Sequence, residues 1–187
     1  MTRAVDVLGD MAGWDGSLVF VSVTTLDAAL ARAMEPRAAA PERRIRAIEK
    51  LSAARVPVGV LAAPIVPGLT DHEIPAILER AAGAGARFAG YIPLRLPYGV
   101  ADLFEHWLEV HVPEKKDKVM ARVRAIRGGR PNDPRYRSRM RGAGPYAAQM
   151  MGLFELGCRR GKLSRDAPVL SVESFRRPKP LQKSLLF

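Results

Sequence analysis

Apolar and polar positions alternate along the first half of the chain in a way that predicts an α/β fold. Three short apolar runs, rich in β-branched residues, cover residues 18–24, 56–66 and 88–94. They show too little polar alternation for one-faced strands, so we expect strands that are covered on both faces. The stretches between them carry apolar residues at the spacing of a helix face. Strand–helix alternation of this kind predicts about three parallel βα units in one sheet.

The carboxyl ends of the predicted strands are where a parallel α/β sheet places its chemistry. Residues 24–27, 67–73 and 95–98 follow the three strands and should therefore lie along one edge. Three strands are too few to close a barrel, and a small parallel sheet leaves edges that an independent domain has to cover. The pattern indicates an incomplete sheet.

The segment after the second strand has two interpretations. Thr70 and Glu73 fit a capping box, but Pro75 would then fall in the second helical turn, where its ring clashes with the carbonyl four residues earlier. A helix that begins near His72 and is capped by Asp71 fits better. In the other interpretation His72 and Glu73 contact a substrate at the rim of a site.

Beyond Pro97 the apolar spacing becomes helical. It predicts one helix over residues 100–111, a second after Pro113 and a third that opens at Pro145. A loop rich in glycine, proline and arginine separates the second helix from the third, and an extended basic tail follows the third helix.

The charge divides the chain near the same place. Residues 1–112 carry 11 Lys and Arg against 13 Asp and Glu, a net charge of −2, whereas residues 113–187 carry 19 against 6, a net charge of +13. We therefore predict two domains: an incomplete α/β unit at 1–112, and a basic helical extension with its tail at 113–187. The basic end indicates a polyanionic partner, nucleic acid before membrane, or else it is only a solvated basic surface.

Arginine is concentrated in the loop before the third helix and is interleaved there with tyrosine. Arginine neutralises phosphates and an aromatic ring can stack on an exposed base, so we expect nucleic-acid binding that weakens as salt rises. The candidate residues are Arg130, Arg135, Tyr136, Arg137, Arg139 and Arg141.

Cys158 is the only cysteine among the 187 residues, which excludes an internal disulfide and a metal site built from cysteines. Its spacing from Met150 and Phe154 predicts a buried, inert thiol on an apolar helix face. No apolar run reaches the ~20 residues of a membrane helix, and no secretory signal is recognisable. A cytoplasmic protein without a membrane partner is the default expectation.

Three stretches together resemble a known family: VSVTTLDAALARAMEPRAAAPERRIRAIEKL, PVGVLAAPIVPGLTDHEIPAIL and GGRPNDPRYRSRMRGAGPYA. They are similar to radical S-adenosylmethionine (SAM) proteins of the branch that resembles spore photoproduct lyase and is called DNA repair photolyase-like. The resemblance implies a partial (βα)6 TIM-like barrel, of which residues 1–112 would form the C-terminal half. It also implies a [4Fe–4S] cluster, bound by a CxxxCxxC loop, at which SAM is cleaved to a 5′-deoxyadenosyl radical.

The chain departs from this family in one respect: it contains no CxxxCxxC loop. With a single cysteine it cannot ligate the cluster. The simplest account is a fragment, or a shortened reading frame that begins at an internal methionine. We expect the isolated chain to be inactive.

The resemblance also implies where SAM would bind. Ser22 and Thr24 share one strand face and would bond the ribose or the methionine amine, unless they are satisfied strand hydroxyls or a helix cap. The backbone at Ala62, Ala63 and Pro64 would contact adenine, unless this strand is only core. The Arg37 guanidinium would bind the SAM carboxylate in a two-point fork. Its alternative is a surface ion pair with Glu35 or Glu42.

The last six residues, QKSLLF, form a separate motif. The pattern Q-x-x-L-x-F resembles peptides that dock on the bacterial sliding clamp, with Gln182 at the pocket rim and Leu185 and Phe187 as anchors. Our hypothesis is thus a portion of a radical SAM enzyme, lyase-like and acting on nucleic acid, with DNA as the expected partner. The alternatives are a non-catalytic nucleic-acid-binding or clamp-associated module, and a radical SAM enzyme that acts on protein or RNA.

Overall fold

The computed structural model of the protein describes residues 4–133 and 138–177, with side chains at all of these positions except 138 and 139. Short 3₁₀ turns at Asp71–Glu73 and Pro113–Lys115 precede α4 and α6. In chain order the elements are α1 (Val5–Ala12), β1 (Val19–Val23), α2 (Ala28–Met34), α3 (Pro41–Ala53), β2 (Val58–Ile65), α4 (Ile74–Gly83), β3 (Phe88–Pro93), α5 (Val100–His111), α6 (Lys116–Ala125), α7 (Ser138–Arg141) and α8 (Pro145–Gly161).

The strands form a three-stranded sheet in the order β1-β2-β3, and both pairs are parallel. Val60 at the centre lies beside Val21 of β1 and Ala89 of β3. The α/β class and the parallel sheet predicted from the sequence are confirmed. The barrel is a larger claim, and three strands do not test it.

One face of the sheet is covered by helices. Val21, Val60 and Ala89 point to this face and join a core with the apolar sides of α3, α4 and α8. At Gly157 of α8 an added Cβ would lie 2.7 Å from Leu78 of α4, so the absence of a side chain there permits the close approach of the two helices. The core therefore includes residues from both sides of position 112, and the domain boundary proposed there stays a prediction.

The opposite face of the sheet, which we call the open face, carries Phe20 and Ser22 of β1, Leu61 of β2, and Gly90 and Ile92 of β3. None of these residues belongs to either hydrophobic core of the described chain. Phe20 is 39% exposed. The expectation that the first strand is covered on both faces is therefore wrong within the described residues, because only one layer of helices packs on the sheet. An open apolar face is what the inner wall of a partial barrel would present.

A second core lies beyond the carboxyl ends of the strands. Val66 after β2 and Leu94 and Leu96 after β3 pack there against Leu108 of α5 and Met120 of α6. A hydrogen bond of 3.0 Å from the Trp107 Nε1–H to the Ala33 carbonyl ties α5 to α2. These contacts hold α5 and α6 beside the ends of the strands.

The chain after α8 returns to the beginning of the sheet. The Ser164 N–H donates to the Arg87 carbonyl at 2.9 Å, and the Ala89 N–H donates to the Ser164 carbonyl at 2.8 Å. Further along, the Ser171 N–H reaches the Asp15 carbonyl at 2.9 Å, just before β1. We call this side, where the strands begin, the lower edge of the sheet. Among the helices of the described residues, none is long and apolar enough to cross a membrane.

Candidate functional site

The upper edge of the sheet comprises the segments that follow the three strands, residues 24–27, 66–73 and 94–98. Thr24 lies at its first corner and is 4% exposed. Its hydroxyl donates to the Ala63 carbonyl at 3.1 Å and so joins the ends of β1 and β2. The Thr24 hydroxyl is thus engaged by backbone, which favours the structural interpretation of this residue over a direct SAM contact.

Glu73 is the strongest polar link of the upper edge. Its carboxylate accepts the Thr25 hydroxyl and the Leu26 N–H, each at 2.6 Å, although 47 and 48 residues separate the partners in the chain. Charge-assisted bonds of this length are the stronger kind. Glu73 therefore holds the end of β1 against the start of α4.

The start of α4 differs from both capping schemes read from the sequence. Residues 71–73 form a 3₁₀ turn, the helix begins at Ile74 with Pro75 in its first turn, and no side chain caps it. Asp71 accepts only the adjacent His72 N–H, at 3.2 Å. The reason is that Pro75 needs no donor at that position, while the Glu73 carboxylate bonds to the β1 segment instead. His72 is exposed.

Asp71 and Thr70 are also held by the scaffold. The Val66 N–H donates to the buried Thr70 hydroxyl at 2.9 Å. The Asp71 carboxylate lies 3.6 Å from the Arg122 guanidinium of α6, and Arg122 in turn lies 4.5 Å from the ring centroid of Tyr146. These contacts join β2, α6 and α8.

Arg37 lies in the loop between α2 and α3 and is exposed. Neither ion pair considered for it forms, because Glu35 binds Arg44 and Glu42 binds Arg80, each at 2.7 Å. Within the described part of the chain Arg37 makes no hydrogen bond or ion pair. Its guanidinium can therefore receive an anion without first losing another partner.

Arg44, which the sequence did not single out, positions the loop of Arg37. Its Nη1 donates to the Ser22 carbonyl at 2.9 Å, its Nε to the Ala39 carbonyl at 2.9 Å and its Nη2 to Glu35 at 2.7 Å. One side chain thus connects β1 to both ends of the loop. The loop that carries Arg37 is thus tied through Arg44 to the backbone of β1, and its residues Pro36 and Ala38 line a cavity of about 280 Å³.

The remaining predicted SAM contacts are divided between the two faces of the sheet. Ser22 is half-buried on the open face, and its hydroxyl makes no hydrogen bond to the described residues. The Ala62 side chain lies on the other face, in the core beneath the helices. Ala63 is buried beside Thr24, and a cis peptide bond joins it to Pro64, which is half-buried. Of the predicted set, the side chain of Ser22 lies on the open face, whereas Arg37 lies in the exposed loop between α2 and α3.

The segment of residues 127–142, which follows α6 and includes α7, contains the predicted nucleic-acid contacts, and the structure describes its residues 127–133 and 138–142. Its ends are closed by a 3.0 Å bond from the Ala143 N–H to the Ile126 carbonyl. Arg127 at its start is 3% exposed, and its Nη2 donates to the carbonyls of Pro93 and Leu94 at 3.3 and 2.8 Å. Burial lowers the pKa of Arg127, the Asp133 carboxylate raises it, and the charge of Arg95 lowers it.

Arg130 and Arg141 are the predicted nucleic-acid contacts that the structure describes, and both side chains are exposed in this loop. Arg135, Tyr136 and Arg137 lie outside the described residues, as does the side chain of Arg139. The clamp-docking residues Gln182, Leu185 and Phe187 lie outside them too.

Cys158 is 6% exposed on α8, on the helix-covered side of the sheet. Burial raises the pKa of its thiol, with smaller opposing effects of Arg165 and Glu155. Cys158 thus lies on the opposite side of the sheet from the open face. The described residues contain no group of three His, Cys, Asp or Glu side chains that could hold a metal. The donor set of this chain does not fit a [4Fe–4S] cluster, which requires several thiolates.

In a comparison with protein-family models, residues 2–81 match the radical SAM superfamily. The match supports membership of the radical SAM superfamily. The matched segment runs from α1 to α4 and so contains Ser22, Arg37, Ala63 and Glu73. Complete members of this superfamily bind SAM and a [4Fe–4S] cluster. No curated protein and no solved structure gives a significant match to the chain.

The radical SAM segment can be tested for its fit to SAM itself. Within the described residues, the Ser22 hydroxyl on its open face makes no hydrogen bond, and the Arg37 guanidinium in the loop between α2 and α3 makes no hydrogen bond or ion pair. Hydroxyl, guanidinium and small side chains suit a ligand with ribose, carboxylate and adenine groups. The residues present therefore fit SAM, although they do not fit the cluster.

Sequence reasoning missed the structural roles of Arg44, Arg127 and Glu73, whose side chains bond to segments at or near the ends of the strands. Their partners are backbone carbonyls and a loop N–H that lie up to 47 residues away in the chain. Periodicity does not report such contacts. The one usable signal was position, because Arg95–Tyr98 and Pro67–Glu73 had been placed at this edge by the ends of their strands.

Proposed function

We propose that this chain forms one wall of the SAM pocket of a radical SAM protein, and that the cysteines of the cluster are supplied by polypeptide outside these 187 residues. The match of residues 2–81 to the superfamily is the observation that carries the proposal. The open face supports it, because an apolar sheet face outside both cores requires a further layer or a ligand.

Three groups of this chain would bind SAM. The Arg37 guanidinium would bind the carboxylate of the methionine moiety, the Ser22 hydroxyl would donate to the ribose or accept from the amine, and the backbone near Ala63 would contact adenine. Arg44 would act by position alone, since it fixes the Arg37 loop to the Ser22 carbonyl. In a complete member, SAM at the cluster supplies a 5′-deoxyadenosyl radical for hydrogen abstraction.

We further propose a substrate class, nucleic acid, and a lyase-like reaction. The charge supports this substrate class: residues 113–187 carry a net charge of +13, and Arg130 and Arg141 are exposed beyond the end of β3. Part of the basic surplus is internally paired, since Lys116, Arg124 and Arg160 contact Glu105, Glu109 or Glu79. The loop arginines remain as candidate phosphate contacts.

The test of the SAM pocket is calorimetric titration of SAM into the full chain. Because this chain has no cluster to chelate SAM, we expect weak binding, with a Kd on the order of 0.1–1 mM. Arg37→Gln should weaken it about fivefold or more, since a two-point carboxylate contact is lost. Arg87→Gln, which removes the same charge at the lower edge, should leave it unchanged. No heat of SAM binding to the unaltered chain would refute the proposal.

The second candidate function is a non-catalytic nucleic-acid-binding or clamp-associated module, and the charge asymmetry favours it equally. Filter binding to DNA at rising salt tests this module, because phosphate contacts release counterions and the affinity must fall steeply. Deleting residues 182–187 tests the clamp motif, and a clamp pull-down that survives the deletion would remove it. DNA binding without SAM binding would favour the module over the enzyme.

A further inference from the structure

Arg95 lies at the upper edge, two residues after the end of β3, and its charge has no carboxylate partner. Its Nη1 contacts the Met140 Sδ at 3.6 Å, which is a weak acceptor. Its Nε is buried and bonds to no acceptor of the described chain. The side chain as a whole is half-buried, so the guanidinium can still be reached from solvent.

The neighbouring charge makes this arrangement costly. Arg127 is a second guanidinium close enough for the charge of Arg95 to lower its pKa, after the larger effect of burial. The negative charge of Asp133 partly compensates the positive charge of Arg127. Arg95 makes no ion pair within the described residues. These residues include every Asp and Glu of the chain, because residues 1–3, 134–137 and 178–187 contain no Asp or Glu.

A polar atom in the segment after α6 also lacks a partner among the described residues. The Asn132 Oδ1 is buried and accepts no hydrogen bond from the described residues. Buried polar groups are nearly always bonded, and an uncompensated cation in a half-buried place is expensive. An amide oxygen accepts hydrogen bonds and does not itself bind an anion, so the guanidinium of Arg95 is the donor available to an anion at the end of β3.

We propose that Arg95 is the principal residue of an oxyanion site at the end of β3, and that its ligand is a phosphate group. The planar guanidinium can bind two oxygens of a phosphate in a fork. A bound phosphate would compensate the charge of Arg95, which makes no ion pair within the described residues. The site is separate from the proposed SAM pocket, so it stands if SAM does not bind.

The phosphate can come from two sources, a free phosphate ion or the backbone of a nucleic acid. The second source rests on the nucleic-acid part of the proposed function. One measurement therefore asks whether the site binds phosphate at all, and a second asks which source fills it.

The first measurement is the thermal unfolding of the full chain, with inorganic phosphate added to a phosphate-free chloride buffer at matched ionic strength. We expect the Tm to rise by about 3 °C near saturation, because a ligand that binds only the folded state stabilises it. In Arg95→Met this rise should be lost. In Arg87→Met, at the opposite end of β3, it should persist.

The unliganded variants separate a binding role from a structural one. An arginine that holds the fold destabilises the protein when it is replaced, whereas removal of an uncompensated cation does not. We therefore expect the Tm of Arg95→Met without phosphate to equal or exceed that of the unaltered chain. A phosphate-dependent rise that survives in Arg95→Met, no rise in the unaltered chain, or a lower phosphate-free Tm in Arg95→Met than in Arg87→Met would each overturn the proposal.

The second measurement is fluorescence anisotropy of a labelled single-stranded DNA oligonucleotide. If a DNA phosphate fills the site, Arg95→Met should weaken binding about tenfold and lower the salt slope by about 1, with Arg87→Met as the control. Unchanged DNA binding together with a lost phosphate effect on Tm assigns the site to free phosphate. Both results support the oxyanion site and differ only in its source.

Discussion

The two ends of β3 differ in how their polar groups are satisfied. At the lower edge, Phe88 is 2% exposed and packs edge to face on Phe20 at 4.9 Å, and backbone bonds to Ser164 close the strand on its outer side. At the upper edge, 7 residues further along the chain, Arg95 makes no ion pair within residues 4–133 and 138–177, and its buried Nε has no acceptor there.

The difference separates scaffold from candidate site by a physical criterion. At the lower edge the contacts are apolar or use backbone groups, and the Ser17 hydroxyl also donates to a backbone carbonyl, that of Leu8, at 2.7 Å. At the upper edge some polar groups are fully used, such as Thr25 and Glu73, and hold the scaffold. Arg95 at this edge and Arg37 in the loop between α2 and α3 make no ion pair within the described residues, and these are the groups left to bind ligands. Position at the upper edge alone does not distinguish the two kinds.

The largest expected effect comes from breaking a satisfied group at the upper edge. Glu73→Ala removes the acceptor of the Thr25 hydroxyl and of the Leu26 N–H, and Thr25 is 0% exposed. Two donors would then lie without a partner, so we expect a loss of about 3 kcal/mol in the free energy of unfolding. Urea unfolding measures it.

The matched control is Glu42→Ala. Glu42 also accepts an arginine at 2.7 Å, but its side chain is 54% exposed. A surface pair of this kind contributes about 0–1 kcal/mol. If both variants lose the same stability, Glu73 is an ordinary surface acid and our division of the upper edge is wrong.

The second effect tests the lower edge. Gly59 of β2 lies between the strands of Phe20 and Phe88, and an added Cβ would lie 2.2 Å from the Phe88 ring and 2.7 Å from its carbonyl oxygen. The ring can shift but the backbone carbonyl cannot, so Gly59→Ala should lose about 2 kcal/mol by overpacking.

Gly152→Ala is the control for Gly59→Ala. Gly152 lies within α8, and nothing lies within 4 Å of an added Cβ. Alanine in a helix interior is favoured over glycine by about 1 kcal/mol, so this variant should be slightly more stable. A Gly59→Ala protein as stable as the unaltered chain would mean that the lower edge is loosely packed.

The sequence predicted the scaffold well because its signals are local. The strands at 18–24 and 88–94, the proline that opens α3 and the proline that opens α8 are all read from neighbours in the chain. The capping of α4 was wrong because the carboxylate of Glu73 bonds across to β1, and no local pattern reports a partner 47 residues away.

The candidate site was predictable only in part. The placement of residues 95–98 at one edge followed from the parallel sheet, but the importance of Arg95 did not. Arg95 became a candidate because it makes no ion pair within the described residues, and this can be seen only when the positions of the surrounding acidic side chains are known. Arg37 was singled out by resemblance, and its freedom from Glu35 became visible only through the pairing of Glu35 with Arg44.

The smallest expected effect is that of replacing Cys158, which tests how tightly the lower edge is closed. Cys158 is connected to this edge because its carbonyl accepts the Leu163 N–H at 2.9 Å, and Leu163 directly precedes Ser164. Burial raises the pKa of this thiol from its ordinary value of 9.0, so above about pH 9 the unfolded chain releases this proton more readily than the native chain. The thiol's contribution to the free energy of unfolding is complete below the unfolded pKa and is lost as pH rises through the native pKa, by at most about 1.4 kcal/mol per pH unit.

The stability difference between the unaltered chain and Cys158→Ala should therefore shrink between about pH 8 and pH 10. The raised pKa of Tyr91 acts equally in the two proteins and cancels in this difference. Urea unfolding of the two proteins across this range gives the difference directly. A difference that stays constant would show that the native thiol titrates as it does in water, and that the lower edge is as open as the upper one.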